Sequence, residues 1–338
     1  MKPNVFSFLL FASSITLVAS AAEGPYHFIK EIPVGGESGW DYLSVDPAGH
    51  RLYVTHGLKV VVIDTSTDQV VGEIADTPGV HGFAIAPDLG KGFSSNGREA
   101  KASIVDLKTL KTLSKVPTGE NPDAILYEPV HKEVYTFNGR GRSATVFEAE
   151  SGKVVATISL PGKPEFAVED PKAERIYNNL EDKSAIVVID AKEHKVTETW
   201  PLAPGEGPSG LAIDIEHHRL FPGCGDSKTM LMVDSSNGKV LDKVTIGDGV
   251  DANAFDPQTH LAFASCGEGA VTIAQEEGDK LKTVQTLKTV PSARTMTIDP
   301  STHRIYLAAA KYEGQGENPR RGKMVAGSFK ILVYGTDK

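Results

Sequence analysis

A seven-bladed β-propeller, all β with four antiparallel strands per blade, is the fold this sequence predicts, and three regularities predict it. A strand of the type Leu-Ser-Val-Asp-Pro recurs seven times at intervals of 40 to 44 residues, anchored at Pro47, Pro87, Pro129, Pro171, Ile215 (in the proline slot), Pro257 and Pro300. Six residues beyond each anchor stands an aromatic: Tyr53, Phe93, Tyr135, Tyr177, Phe221, Phe263 and Tyr306. The last repeat supplies only three strands, and Tyr26 to Ile32 has the character of the missing fourth. Repeats of about 40 residues with several short strands each are propeller blades, and pairing the chain ends removes an exposed strand edge.

Blade one shows how each element is written. Tyr42 to Asp46 is the inner strand, Pro47-Ala48-Gly49-His50 a turn, and Arg51 to Thr55 the second strand. Val60 to Ile63 is the third strand, and Asp64-Thr65-Ser66-Thr67 turns the chain into a fourth, Val70 to Ile74. β-Branched and aromatic residues punctuated by Gly, Pro, Asp and Asn are what short antiparallel strands require. The third-strand wording recurs as Ile104-Val105-Asp106, Val187-Val188-Ile189-Asp190 and Met232-Val233-Asp234. An Asp at that point caps the following turn with its own side chain.

The wording Arg-Leu-Tyr-Val-Thr, Val-Val-Val-Ile-Asp, a Thr/Ser-rich turn and a Gly-Pro-x or Gly-Val-x junction resembles the YVTN-repeat propellers, which include the bacterial YncE-like exported proteins. The resemblance covers residues 22–338, read as a single propeller domain, and implies a secreted or periplasmic propeller. It implies no single chemistry, because such folds host many functions.

Residues 1–21 stand outside the repeat. Lys2, the apolar stretch Val5 to Val18 and Ala19-Ser20-Ala21 have the layout of a cleaved signal peptide, too short for a stable membrane span. The expectation is a soluble, exported, monomeric protein with no membrane span. The formal charge of −9 over the whole chain disfavours nucleic acid as a partner, since phosphate binding rests on clustered Lys and Arg.

Repeat arithmetic nominates two rings of side chains at one face. Six residues before each anchor stand Asp41, His81, Asp123, Glu165, Ser209, Asp251 and Arg294. Nine residues after stand His56, Asn96, Asn138, Leu180, Cys224, Cys266 and Ala309. Carboxylates converging on one axis need a cation or solvent to balance them. Three readings stay open: a hydrated funnel, a binding site for a polar or cationic small molecule or a peptide, and a metal-dependent catalytic centre. The ligand-binding set is Asp41, His56, His81, Asn96, Asp123, Asn138, Glu165, Asp251 and Arg294; the metal set is Asp41, His56, His81, Asp123 and Glu165. Its oxygens suit Ca²⁺ or Mg²⁺, whereas the two imidazoles suit Zn²⁺ or Cu²⁺.

Cys224 and Cys266 share one slot in adjacent blades, so a disulfide, two free thiols and a soft-metal site all remain open. The Gly-rich insertion Lys311 to Ser328, with Tyr312, Glu317, Arg320, Arg321 and Lys323, is expected to overhang the ring face as a lid or docking arm. Gly205-Glu206-Gly207-Pro208-Ser209-Gly210 matches a dinucleotide fingerprint in spelling, but a strand rather than a helix follows it. No CxxCH is present, which excludes covalent haem on motif grounds. The function expected is recognition of a small polar ligand or a protein partner at the ring face. The alternatives are a metal-dependent hydrolase or lyase there, and a propeller subunit of a periplasmic redox complex.

Overall fold

The computed structural model describes residues 24–313 and 322–337. The signal-peptide reading and residues Glu317, Arg320 and Arg321 of the insertion lie outside them. Seven four-stranded antiparallel sheets form the ring of blades. Blade one runs Trp40–Asp46, Arg51–His56, Lys59–Asp64 and Gln69–Ile74, in that order across the sheet. Five further blades repeat the pattern. Blade seven orders Met296–Asp299, Arg304–Ala309, Lys330–Gly335 and, outermost, the N-terminal strand His27–Pro33. Phe28 pairs with Tyr334 and Ile32 with Ile331, so the two ends of the chain close the ring as the sequence predicts.

The seven repeat aromatics form the joints between blades. Each is at most 1 % exposed. Tyr135 Oη donates to Ala191 O and Tyr177 Oη to Ser235 O, both at 2.9 Å, in each case reaching a turn of the next blade. Burying such a ring contributes about 1.5–3 kcal/mol, and in Tyr135 and Tyr177 the hydroxyl finds its acceptor without losing that burial. The third-strand aspartates cap their turns: Asp64 Oδ1 accepts from the backbone N–H groups of Ser66 and Thr67, and Asp190 Oδ1 from those of Lys192 and Glu193.

Inner strands run from one face of the ring to the other, and a local irregularity at their start shapes the first face. In blade one pairing passes from Trp40 opposite His56 to Leu43 opposite Val54, which leaves Asp41 and Tyr42 facing Thr55 alone. The same step occurs between Val80 and Phe83, Pro122 and Ile125, Pro164 and Ala167, and Pro208 and Leu211. A bulge of this kind re-aims the extra side chain. In blades one to five it falls at the residue six before the anchor, Asp41, His81, Asp123, Glu165 and Ser209. Among the described residues no helix is long and apolar enough to cross a membrane.

Candidate functional site: an acidic axial mouth

The first ring assembles around the axis. His81 Nδ1 lies 2.7 Å from Asp41 Oδ2 and 3.7 Å from Asp123 Oδ1. Arg294 Nε bonds the Asp251 carboxylate, its Nη2 stands 3.7 Å from Asp41 Oδ1 and donates to Trp40 O at 3.2 Å, and its guanidinium lies over the Trp40 ring. Ser209 Oγ donates to Asp251 Oδ1 at 3.2 Å. Glu165 is held by Lys163 Nζ at 2.6 Å, and the same ammonium reaches Glu181. Charge is therefore balanced locally, which is the condition under which four carboxylates persist in one place.

Their environment moves their protonation. Burial alone would lower the His81 imidazolium, but the Asp41 hydrogen bond and the charges of Asp123, Asp41 and Glu165 raise it to about 9. Burial pushes the Asp123 carboxyl above the ordinary carboxylate range, against the pull of His81. Glu165 moves the same way through burial and the charge of Asp123. Burial holds the Tyr42 hydroxyl well above its usual value, followed by the charges of Asp123, Asp41, Asp251 and Glu165. That places Tyr42 directly among the ring carboxylates.

Tyr42 also gives the mouth a floor. Its ring meets Phe166, from the blade across the axis, edge to face at 4.9 Å. On the side of blades four to six the mouth opens into a cavity of about 600 Å³ lined by Lys163, Glu165, Glu181, Asp226, Asp248, Asp251 and Glu268. Six of these seven charged groups are carboxylates. Asp248 is paired with Lys228 at 3.1 Å; no cation lies within ion-pair distance of Asp226 or Glu268 among the described residues.

The second ring does not join the first. His56 is buried and stacks on Phe329 with ring centroids 4.4 Å apart and an 8° tilt. Asn96 Nδ2 donates to Ser103 Oγ and Glu99 Oε1, and Asn138 Nδ2 donates to Ser143 Oγ and Thr145 Oγ1, all within their own blades. These side chains end the second strand opposite the residue that precedes the bulge, so the two-residue alternation turns them into the packing between sheets. The five-residue metal set divides accordingly: Asp41, His81 and Asp123 bring donor atoms within 4.8 Å of one another, while His56 and Glu165 are not in that group.

Of the three readings left open for the cysteines, the structure shows the free thiols. Both are buried free thiols, Cys224 packed with Tyr177, Trp200 and Leu231 and Cys266 with Phe221, Met230 and Ile246. Equivalent slots of adjacent blades face different blade junctions, which keeps the pair from a disulfide. At the base of the insertion, Tyr312 pairs with Met324 and Glu313 with Lys323 in a two-stranded ribbon, and Tyr312 packs on Trp40.

The positioning residues that repeat arithmetic passed over stand one place earlier, eight after the anchor. Ser95 Oγ donates to Asp123 O, Asn179 Nδ2 to Ser209 O at 2.9 Å, and Ser265 Oγ to Arg294 O. Each reaches across a blade junction to fix the backbone of a ring residue. A small polar side chain inside an otherwise apolar strand was the signal available.

Fold and site together define a seven-bladed propeller with an acidic axial mouth. No family model and no curated protein matches the chain. Its likeness is to solved propellers: the WD40 repeats of RRP9 (TM-score 0.78, 13% identity, 92% of this chain and 99% of that one); U3-55K (0.76, 13%, 90% and 98%); and hydrazine synthase of Kuenenia stuttgartiensis (0.72, 16%, 90% and 98%). At such identities the likeness concerns the fold alone.

Proposed function

We propose that the protein is an exported, YVTN-type propeller that binds a small organic cation, an amine or guanidinium compound, in its axial mouth. The observation that carries this reading is the lining of the cavity, six acidic side chains with Lys163 the one cation among the lining residues; Arg294 and Lys228 stand beside Asp251 and Asp248, but Asp226 and Glu268 have no cation within ion-pair distance among the described residues. A concave site of this size accommodates a small molecule, and field lines of one sign concentrate a ligand of the other. The signal-like N-terminal segment and the acidic net charge support export and argue against nucleic acid.

The test is calorimetric titration with spermidine and arginine amide at low salt. Saturable binding that weakens with salt and falls at least about tenfold in Asp226→Asn/Glu268→Gln supports the proposal. Binding that is absent, or indifferent to that double variant, overturns it.

A metal-dependent hydrolase or lyase is the second reading, carried by the grouping of Asp41, His81 and Asp123. Against it, the His81 imidazolium already stands between the two carboxylates. Metal analysis of protein purified without chelator, compared with the His81→Gln variant, separates the two.

A further inference from the structure

At the face opposite the mouth, where blades five and six meet, four metal-ligating side chains converge that the axial site does not use. Asp214 ends the inner strand Pro208–Asp214 of blade five, and His217 follows in its turn. His260 occupies the corresponding turn of blade six, and Glu276 is the penultimate residue of Ala270–Glu277. One donor atom from each lies within 4.8 Å of the other three. His217 Nδ1 is 2.7 Å from Asp214 Oδ2, His260 Nδ1 is 4.0 Å from the same oxygen, and the imidazoles meet edge to face at 5.1 Å.

A His–carboxylate contact at a turn is by itself a structural habit of this chain. His131 lies against Glu128 and His303 against Asp256 in other blades. His131 also reaches a second carboxylate, Glu174, so the junction of blades five and six differs by adding a second imidazole and by burying both of its carboxylates. Asp214 and Glu276 are 2 % and 8 % exposed and their carboxyl groups meet in a side-chain hydrogen bond, while no N–H or hydroxyl donor reaches Glu276 Oε2 among the described residues. Two buried carboxyl groups in contact are costly without a cation, and a pair with donor atoms within 4.8 Å of two imidazoles is a ligand position. Arg219 does not fill it: its Nε stands 3.8 Å from the other oxygen, Oε1, and its Nη2 is held by Asp279 at 2.7 Å. A depression of about 200 Å³, lined by His217, Arg219, His260, Glu276 and Gly278, gives an ion a path from solvent.

We infer that Asp214, His217, His260 and Glu276 form a binding site for a divalent transition cation of the zinc class. Two imidazoles with two carboxylates favour such an ion over Ca²⁺ or Mg²⁺, which take oxygen ligands. Tetrahedral donors at zinc distances stand ~3.3 Å apart. The two histidines, on exposed turns, would contract the cluster by side-chain rotation. The ion would tie the turns of two blades together.

The experiment uses the full chain, stripped with chelator. Zn²⁺ is titrated by calorimetry and Co²⁺ by visible absorption, with melting curves alongside. One ion per chain, Co²⁺ ligand-field bands and a rise in Tm are expected. His217→Gln/His260→Gln should bind more weakly by more than the roughly 10–100-fold that loss of an outer-shell partner costs. His260→Gln alone, at a partly exposed position, should weaken binding while leaving the metal-free Tm unchanged. His81→Gln, at the other face, should bind as wild type. A titration without a saturable site, or one unaffected by the double His variant or abolished by His81→Gln, overturns the inference.

Discussion

Tyr42 and Phe166 meet edge to face, with ring centroids 4.9 Å apart, although they come from blades on opposite sides of the ring. The contact spans the axis, and the charges of Asp123, Asp41, Asp251 and Glu165 act on the Tyr42 hydroxyl. Phe166 is only partly buried, so Phe166→Ala should cost about 1–3 kcal/mol, below the range for a fully buried ring. Urea denaturation reads this directly. A variant as stable as wild type would show that the bridge carries no packing energy.

The ring makes stability depend on pH with a definite sign. His81 is raised to about 9 from its ordinary 6.5, so the stability it contributes is complete below about pH 6.5 and lost as pH rises through 9. Asp123 and Glu165, raised by burial, act in the same direction, their contribution fading upward from the ordinary carboxylate range. Tm should therefore decline between mildly acidic conditions and pH 9, the His81 part being on the order of 2 kcal/mol. Asp123→Asn should raise Tm at pH 8 and leave it nearly unchanged at pH 5. An equal effect at both pH values would contradict this account.

Arg294 joins Asp251, Asp41 and the Trp40 carbonyl from a side chain only 16 % exposed. Arg294→Met removes the cation that Asp251 shares with Asp41, which keeps His81 beside it, and should cost about 3–5 kcal/mol. Adding Asp251→Asn should recover a substantial part of that loss. A double-mutant cycle measured by denaturation provides the coupling, and strictly additive effects would mean the pair is energetically independent.

Burial pushes both thiols up to about 12, so neither Cys224 nor Cys266 offers thiolate at neutral pH. Native protein should show no reaction with a disulfide-exchange thiol reagent, and two thiols should react after denaturation. Intact mass under non-reducing conditions should show both cysteines reduced. Rapid labelling of the native form would place them elsewhere than in the blade junctions.

The ring closure, the blade count and the aromatic joints were legible because each is written several times at fixed spacing. Asp41, His81 and Asp123 were legible for the same reason. His56, Asn96 and Asn138 were not assigned to their places, since a bulge before them shifts which side chains face the axis, and a repeat count does not register a bulge. Asp226, Asp248 and Glu268 lie in loops outside both ring positions, so no period points to them. The four-donor group around Asp214 draws on two strands and two turns from two blades, a combination visible only once the blades are packed.

Sequence alone determined that seven equivalent sheets must close on themselves and that charged side chains would gather at their centre, because repetition at a constant interval constrains geometry. Tertiary structure decided which charges stand unmatched, what blocks the axis and which cysteine meets which neighbour. Those outcomes depend on distances across blade junctions, and such distances follow from packing rather than from spacing along the chain.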